Sequence, residues 1–260
     1  MSKQWVIILG CSTGHGAATA LELAKCGYGI IGFHFDRGPI KKDAQLLKEK
    51  IKKLNGGRAH FWNENAADKD IMEKHIDEIL SITKEQPIKL LMHSIAFGST
   101  TNFFQPTPVR KRQMDMTQHV MAHCLIYWTQ LLLENNLLSK GSRILGLTSE
   151  GSYKAMEGYG PVGVAKASLE AVVRQIGWEL GSMGITANTI QAGITPTRAL
   201  TKISDNWEEW VEKTIERKTV IPAADLFGSF MEERKQTGRI YLMNVDHANS
   251  HGAFKPDVAP

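Results

Sequence analysis

Short apolar runs alternate with amphipathic helical patterns along the chain, and this alternation constrains the fold more than any other feature. The apolar runs predict strands near residues 5–9, 30–35, 59–63, 89–93, 143–148, 186–190 and 239–245. The amphipathic stretches predict helices near 14–26, 42–54, 68–83, 110–135, 163–182, 205–217 and 222–234. Such alternation is typical of a mainly parallel sheet with helices on both faces. We therefore expect an α/β fold of the Rossmann type, a doubly wound sheet of about seven parallel strands.

The length of the chain bears on the number of domains. Its 260 residues, 42% of them hydrophobic, suffice for one large α/β domain. We expect a single nucleotide-binding domain over residues 1–260, with a substrate lid near 195–220. Trp207, Trp210 and Val211 fall on one face of the helix predicted in that lid, and this face can either cover a substrate or pack into the core.

Charge and the pattern of apolar residues exclude several classes of partner. The formal net charge of +4 is far from the concentrated basic surface of a nucleic-acid-binding protein, and the run Arg110–Arg112 is short. No segment approaches ~18 uninterrupted apolar residues, so we expect no membrane partner. His247 and His251 lie four residues apart without a third ligand in view, so we expect no metal site.

The three cysteines indicate a reducing compartment. Cys11, Cys26 and Cys124 form no CxxC pair and no disulfide framework. The N-terminal apolar run is also shorter than that of a signal peptide, so the expected location is the cytoplasm. A nearby helix N-terminus can lower the pKa of the Cys11 thiol, for which we expect a packing or redox-sensitive role.

A glycine-rich segment follows the first predicted strand. In "GCSTGHGAATA", Gly10 allows a tight turn, and Gly14 and Gly16 let the backbone approach a pyrophosphate at the N-terminus of a helix. Ser12 and Thr13 add hydroxyl donors. The position of this segment, between an apolar strand and an alanine-rich helix, predicts a dinucleotide-binding loop.

The ends of the second and third strands predict the adenosine side of the site. Asp36 lies 26 residues after Gly10, about where an acidic residue binds the ribose 2′-hydroxyl of NAD. A carboxylate there repels the 2′-phosphate of NADP, whereas Arg37 or His34 can attract that phosphate. We favour NAD over NADP. Asn65 is a candidate partner for the adenine amino group, or simply a turn residue.

Tyr159 and Lys166 form the candidate catalytic pair. They are seven residues apart, which on a helix is close to two full turns. Both side chains can therefore face one cleft, where the phenol moves a proton and the ammonium makes it more acidic. The same cleft is expected to collect the loops that follow the carboxyl ends of the strands.

Taken together, these residues resemble the short-chain dehydrogenase/reductase superfamily, and within it the branch that holds the bacterial NADH-dependent enoyl-acyl-carrier-protein reductases. The segment "HSIAF" at 93–97 is similar to that branch after strand 4. The spacing from Tyr159 to Lys166 is also that of the branch, with Val162 where the usual superfamily spacing would need Tyr. The segment "ANTIQAGITPT" at 187–197 resembles its strand-6 region.

The resemblance implies a role for each matching position. The glycines hold the pyrophosphate, Lys166 binds the nicotinamide ribose, and Tyr159 contacts the oxygen of the substrate thioester. The backbone at Ile194 holds the carboxamide and Thr197 assists with the phosphates. The adenosine and ribose side is backed by Ser94, Ile95 and Ala96.

The chain departs from the enoyl reductase pattern at a position that bears on its reaction. Ten residues before Tyr159, where that branch carries an aromatic residue, this chain has Ser149. Carbonyl-reducing members of the superfamily use a serine there to hold the substrate oxygen. Tyr153 is a candidate replacement for the missing aromatic residue. In place of the usual helix asparagine the chain has the pair Gln118 and His119.

Three functions are therefore weighed. The first is NADH-dependent reduction of the C=C bond of an enoyl thioester, with Tyr159 as donor at the oxygen and Lys166 as its partner. The second is a ketoreductase or alcohol dehydrogenase that uses Ser149, Tyr159 and Lys166. The third is a non-catalytic partner subunit of the same fold, which the retained glycines argue against. By analogy with the superfamily, we expect a homodimer or homotetramer.

Overall fold

The computed structural model describes residues 4–38, 40–192 and 240–242 of the chain. Within these residues, seven parallel strands form one sheet in the order β3-β2-β1-β4-β5-β6-β7. The prediction of a doubly wound sheet of about seven parallel strands is confirmed. The strands are β1 (Trp5–Leu9), β2 (Gly29–His34), β3 (Ala59–Asn63), β4 (Leu90–His93), β5 (Arg143–Thr148), β6 (Thr186–Gln191) and β7 (Ile240–Leu242).

Six α-helices lie in the same described ranges. They are α1 (Gly14–Lys25), α2 (Ile40–Asn55), α3 (Lys69–Thr83), α4 (Lys111–Gln118), α5 (Cys124–Glu134) and α6 (Gly160–Leu180). None of these helices is long and apolar enough to cross a membrane. The helices predicted at 205–217 and 222–234, and the lid near 195–220, lie outside the described residues.

The apolar strands are buried because helices cover both faces of the sheet. On β1, Trp5, Ile7 and Leu9 belong to one core cluster, whereas Val6 and Ile8 belong to the other. The first cluster includes residues of α3, α5 and α6, and the second includes residues of α1 and α2. A strand covered on both faces has no polar side, which is why the sequence shows continuous apolar runs rather than alternation.

Two predicted helices differ from the observed ones. The stretch 110–135 is interrupted by a π-helical turn at His119–His123, between α4 and α5. The helix predicted from residue 163 begins earlier, at Gly160, because Pro161 lies in its first turn, where a missing N–H costs no helical hydrogen bond. Tyr159 is consequently the N-cap residue of α6 and Lys166 lies in its second turn, so the expected separation of about two turns holds.

The sheet order reverses between β1 and β4. The chain winds outward in one direction through β2 and β3 and in the other through β5 and β6. In folds of this kind, ligands bind beyond the carboxyl ends of the strands at the point of reversal. Here that point lies between the residues after Leu9 and those after His93.

Candidate active site

The glycine-rich loop packs directly against the chain that follows β4. Gly10 has φ +88°, and a Cβ atom at this position would lie 2.6 Å from the carbonyl oxygen of Ser94. The N–H groups of Gly10 and Cys11 both donate to the carbonyl oxygen of Phe33, at 2.9 and 3.1 Å. A side chain at position 10 would therefore separate the two segments that meet at the point of reversal.

The loop ends in the first turn of α1. Thr13 precedes the helix in an extended conformation, and its side chain makes no capping hydrogen bond. Its carbonyl oxygen accepts from the N–H of Ala17 at 3.3 Å. A helix start whose N–H groups are not capped by Thr13 suits an anionic group. Ser12 and Gly14 are partly exposed beside it, as a phosphate-binding loop requires.

Asp36 is held at the end of β2 by two polar side chains. Its carboxylate accepts from Nδ1 of His34 at 2.8 Å, and its N–H donates to the side-chain oxygen of Asn63 at 2.7 Å. The side-chain amide of Asn63 also donates to the carbonyl oxygen of Asp36 at 3.2 Å. Burial lowers the pKa of His34, although the neighbouring Asp36 opposes this shift. The carboxylate is thus fixed at the position expected of a ribose-binding acid.

Asn65 is used in a turn after β3. Its side-chain oxygen accepts from the N–H of Ala67 at 3.1 Å, and its carbonyl oxygen accepts from the N–H of Asp68 at 3.0 Å. The interpretation of Asn65 as a turn residue is therefore sufficient to explain its presence. A contact between its remaining amide group and adenine stays a prediction.

Three polar side chains gather where β5 meets α6. The hydroxyl groups of Ser149 and Tyr159 are 3.0 Å apart, and Lys166 Nζ donates to the carbonyl oxygen of Leu147 at 2.6 Å. Tyr159 and Lys166 are both buried, with 8% and 6% of their surface exposed. The structure therefore brings together the three predicted catalytic residues at the end of one strand.

The prediction that Lys166 makes the Tyr159 hydroxyl more acidic is wrong in this structure. The pKa of Tyr159 is raised, because burial outweighs the opposing effect of its hydrogen bond with Ser149. Burial lowers the pKa of Lys166 to about 8, against the opposing charge of Glu170. Tyr159 is consequently a neutral hydrogen-bond donor at neutral pH rather than a phenolate.

The expected lowering of the Cys11 pKa is wrong in this structure, whereas the packing role expected of Cys11 fits its burial. The thiol is fully buried, and its pKa is raised, first by burial and then by the charge of Asp36. The proximity of the α1 N-terminus does not overcome these effects. Cys11 fills space beneath the loop, and a Cβ atom at Gly32 would lie 2.4 Å from its sulfur.

The packing of Tyr159 depends on a glycine that no sequence pattern identified. A Cβ atom at Gly151, in the turn after β5, would lie 2.2 Å from Cε1 of Tyr159. Any larger residue would push the ring away from Ser149. In the sequence, Gly151 is distinguished only by its position between Ser149 and Tyr159. A glycine at such a position is too common to predict a role in packing the tyrosine ring.

The sequence also did not identify His15 and His93, two histidines near Lys166, as candidates for the site. The pKa values of His15 and His93 are both lowered to about 4, first by burial and then by the charge of Lys166. Within the described residues, Nε2 of His15 and Nδ1 of His93 are buried without a hydrogen-bond partner. His15 stands between two glycines of the loop and His93 opens the "HSIAF" segment, but neither position reveals burial.

Several other candidates have structural contacts. The Tyr153 hydroxyl accepts from Nε2 of Gln191 at 3.0 Å, and its ring is largely exposed. His119 Nε2 donates to the carbonyl oxygen of Ala67 at 2.6 Å, which explains its position. Arg110 is the exposed residue that precedes α4.

Some predicted residues cannot be placed. Ile194, Thr197, the tryptophans at 207 and 210, and the histidines at 247 and 251 lie outside the described residues. Ser94 and Ile95 are partly buried and Ala96 is exposed after β4, beside the loop. In the described part of the chain, no three His, Cys, Asp or Glu residues are grouped in a way that could hold a metal ion.

The chain belongs to the short-chain dehydrogenase/reductase family of oxidoreductases. The family model that matches it, over residues 10–228, is described as enoyl-(acyl carrier protein) reductase. Among curated proteins, the chain is similar to enoyl-[acyl-carrier-protein] reductase [NADH] 2 of Rhizobium meliloti (strain 1021). The two are 29% identical over 178 residues, which cover 65% of this chain and 66% of that enzyme.

Solved structures show the same fold. The L-sorbose reductase of Gluconobacter frateurii, complexed with NADPH and L-sorbose, has a TM-score of 0.81 at 16% identity, over 94% of this chain and 96% of that one. The enoyl-(acyl-carrier-protein) reductase of Anaplasma phagocytophilum, in complex with NAD, has a TM-score of 0.76 at 17% identity, over 100% and 97%. At these identities the likeness concerns the fold alone.

A short similarity to a different class of protein is also present. The chain is 57% identical over 49 residues to the ribonucleoside-diphosphate reductase subunit alpha of Buchnera aphidicola subsp. Baizongia pistaciae (strain Bp). That alignment covers 19% of this chain and 6% of the subunit. So small a share of the subunit gives no basis for assigning its activity to this chain.

Proposed function

We propose that the protein reduces the C=C bond of an enoyl thioester, carried on acyl carrier protein or coenzyme A, with a nicotinamide cofactor. The observation that carries the proposal is the buried pair of Tyr159 and Lys166, at the Tyr-x6-Lys spacing of the enoyl reductase branch. The charge of Lys166 acts on His15 in the glycine-rich loop, which links the pair to that loop. The family model and the relative from Rhizobium meliloti, named as an enoyl reductase, support the same class of substrate.

The loop and the end of β2 fit a dinucleotide. Gly10 brings the loop against Ser94 without a side chain between them, and Thr13 leaves the start of α1 uncapped. Ser12, Thr13 and the loop glycines would hold the pyrophosphate, and Asp36 would bind the ribose hydroxyls. When bound, the cofactor supplies the hydride. We propose NAD rather than NADP, because the fixed carboxylate of Asp36 repels a 2′-phosphate.

Tyr159 has the properties of a donor to a developing oxyanion. Its raised pKa keeps the hydroxyl protonated at neutral pH, so it can donate to the thioester oxygen as negative charge accumulates there. Burial of the ring keeps competing water away from this hydrogen bond. An ammonium has three N–H donors, and Leu147 takes one from Lys166, which leaves others for ribose hydroxyls.

A second reaction is favoured by one specific contact. The 3.0 Å approach of Ser149 to Tyr159 places two hydroxyl groups where they can hold one carbonyl oxygen together. This arrangement suits reduction of a ketone or oxidation of a secondary alcohol, with Tyr159 moving the proton and Ser149 orienting the oxygen. The two reactions share the cofactor and differ in the carbon that receives the hydride.

Isotope labelling separates the two reactions. The protein is supplied with an enoyl thioester and, separately, with a 3-ketoacyl thioester, together with NADH deuterated at the transferred position. The proposal predicts deuterium at the β-carbon of a saturated product. Deuterium found only on a carbinol carbon would remove the enoyl proposal in favour of the ketone reaction.

A ligand-binding measurement addresses the non-catalytic alternative. NADH, NAD and NADPH are titrated separately while tryptophan fluorescence is followed. The proposal predicts saturable quenching, with tighter binding of NADH than of NADPH. A folded protein that binds none of the three would support a partner subunit that has kept only the fold.

We also propose that the chain forms a homodimer or homotetramer. Val164 and Trp178, fourteen residues apart on α6, are exposed by 43% and 80%, and Tyr127 on α5 is exposed by 44%. Positions fourteen apart lie on the same side of a helix, so Val164 and Trp178 expose apolar side chains along one side of α6, which a second copy can cover. Sedimentation equilibrium of the full chain tests this expectation.

A further inference from the structure

Three consecutive residues at the end of β5 each contact one polar side chain of the α6 region. The carbonyl oxygen of Leu147 accepts from Lys166, and the hydroxyl of Ser149 contacts that of Tyr159. Between them, the hydroxyl of Thr148 donates to Oε1 of Glu170 at 2.5 Å. Two of these three contacts involve the candidate catalytic residues, whereas the third involves a carboxylate to which no role has been given.

We infer that Glu170 is a positioning residue for Lys166, whose carboxylate, anchored by Thr148, favours the charged form of the Lys166 side chain at the end of β5. This inference deepens the proposed function and rests on it for the use of the ammonium. Glu170 follows Lys166 by four residues in α6, which puts the two side chains on the same face of the helix. Both residues are buried, with 8% and 6% of their surface exposed.

The charge of Glu170 matters because the surroundings of Lys166 otherwise disfavour an ammonium. Burial of Lys166 brings its pKa down to about 8, and the charge of Glu170 opposes that fall. From other elements, His15 of α1 and His93 of β4 also interact with Lys166. Their pKa values of about 4 make them neutral near pH 7, so they add no positive charge beside Lys166, and a histidine cannot supply a negative charge as Glu170 does.

The anchor on Thr148 keeps this carboxylate from turning away. Thr148 is 2% exposed, so its hydroxyl is in a dry environment where a hydrogen bond to a charged oxygen is strong. Charge and geometry can therefore be separated experimentally. Glu170→Gln removes the charge and keeps a side-chain oxygen that Thr148 can bind, whereas Thr148→Val keeps the charge and removes the anchor.

The first measurement is the titration of Lys166 itself. The full-length protein is labelled with ¹³Cε-lysine, and the resonance of Lys166 is assigned by its loss in Lys166→Arg. In Glu170→Gln we expect the midpoint of Lys166 to fall by about 1 pH unit relative to the parent. The matched control is Glu179→Gln, which removes a charge from an exposed position of the same helix and should leave the midpoint unchanged.

The second measurement is the pH profile of turnover. Loss of the charge should move the alkaline limb of kcat/KM to lower pH by a similar amount in Glu170→Gln. Thr148→Val should raise the KM for the cofactor while moving the limb little. A titration midpoint and an alkaline limb that stay in place in folded Glu170→Gln would overturn the inference. Should Glu170→Gln not fold, Glu170→Asp replaces it, because the shorter side chain moves the carboxylate away from Lys166. An unchanged Lys166 midpoint in Glu170→Asp would also overturn the inference.

The two measurements distinguish this inference from the proposed function. The midpoint of Lys166 is observed without substrate. A shifted midpoint in a protein that does not reduce enoyl or ketoacyl thioesters would remove the proposed function and leave the positioning by Glu170. Turnover of enoyl thioesters with an unmoved midpoint would do the reverse.

Discussion

The hydroxyl groups of Ser149 and Tyr159 lie 3.0 Å apart, although Ser149 follows β5 and Tyr159 comes ten residues later, just before α6. Gly151 makes this contact possible, because its missing side chain leaves room for the tyrosine ring. The chain thus combines the tyrosine–lysine spacing of enoyl reductases with a serine contact that suits carbonyl chemistry. Which feature governs the reaction is open to a direct test.

Ser149→Ala tests whether the serine takes part in the reaction. Under the enoyl proposal, the oxygen is stabilised by Tyr159, and kcat should fall by less than about tenfold. If a carbonyl is reduced, loss of a hydrogen bond to the reacting oxygen should lower kcat by about 100-fold. Steady-state kinetics on both thioesters gives the answer, with Ser152→Ala, in the same turn, as the matched control. Within the described residues, the buried hydroxyl of Ser152 has no hydrogen-bond partner.

Tyr159→Phe removes the proposed donor and keeps the ring. Because the phenol hydroxyl acts on the developing charge rather than on the cofactor, kcat should fall by about 100-fold or more while the Kd for NADH stays within about twofold. Tyr153→Phe is the control, and it also tests Tyr153 as a replacement for the aromatic residue missing at position 149. A larger loss of turnover in Tyr153→Phe than in Tyr159→Phe would exchange their roles.

The arrangement of the sheet and the grouping of the catalytic residues follow from patterns in the sequence. Strands that helices cover on both faces are rich in apolar residues, so β1 and β5 were predicted with their observed bounds. The partly buried edge strand β3 was also predicted with its observed bounds. Parallel strands place their carboxyl ends at one edge, and this is why the Gly10 loop, Asp36 and Ser149 were expected together. The spacing of Tyr159 and Lys166 required only the helical repeat.

Electrostatic consequences were less predictable because they depend on burial. The pKa shifts of Tyr159 and Cys11 run opposite to those expected from their charged or dipolar neighbours, since both groups are desolvated. Burial depends on what other elements pack on a residue, and a linear sequence does not display it. For the same reason the packing role of Gly151 and the contact between Thr148 and Glu170 were found only in three dimensions.

Asp36→Ala tests the choice of cofactor. Removing the carboxylate removes its repulsion of a 2′-phosphate, so kcat/KM for NADPH relative to NADH should rise by at least about tenfold, equivalent to ~1.4 kcal/mol. Asp77→Ala, an exposed position of α3, is the control for a general change in charge. An unchanged ratio would mean that another residue binds the adenosine ribose.

The buried side chain of His93 should make the free energy of unfolding depend on pH. Its Nε2 donates to the carbonyl oxygen of Val120 at 3.1 Å, and burial together with the charge of Lys166 lowers its pKa to about 4. In the unfolded chain the pKa of a histidine is ~6.5. Between these two values the unfolded state binds a proton that the folded state does not, so the free energy of unfolding falls as the pH falls from about 6.5 to about 4.

The contribution of His93 is at most ~3.5 kcal/mol over that interval, at ~1.4 kcal/mol for each unit of pKa shift. Urea unfolding at several pH values should therefore give a shallower dependence on pH in His93→Gln, which does not titrate, than in the parent. The comparison uses slopes rather than absolute stabilities, because the substitution also changes the hydrogen bond with Val120. Parallel curves for the two proteins between pH 7 and pH 4 would show that His93 is protonated in the folded state, contrary to its burial in the core.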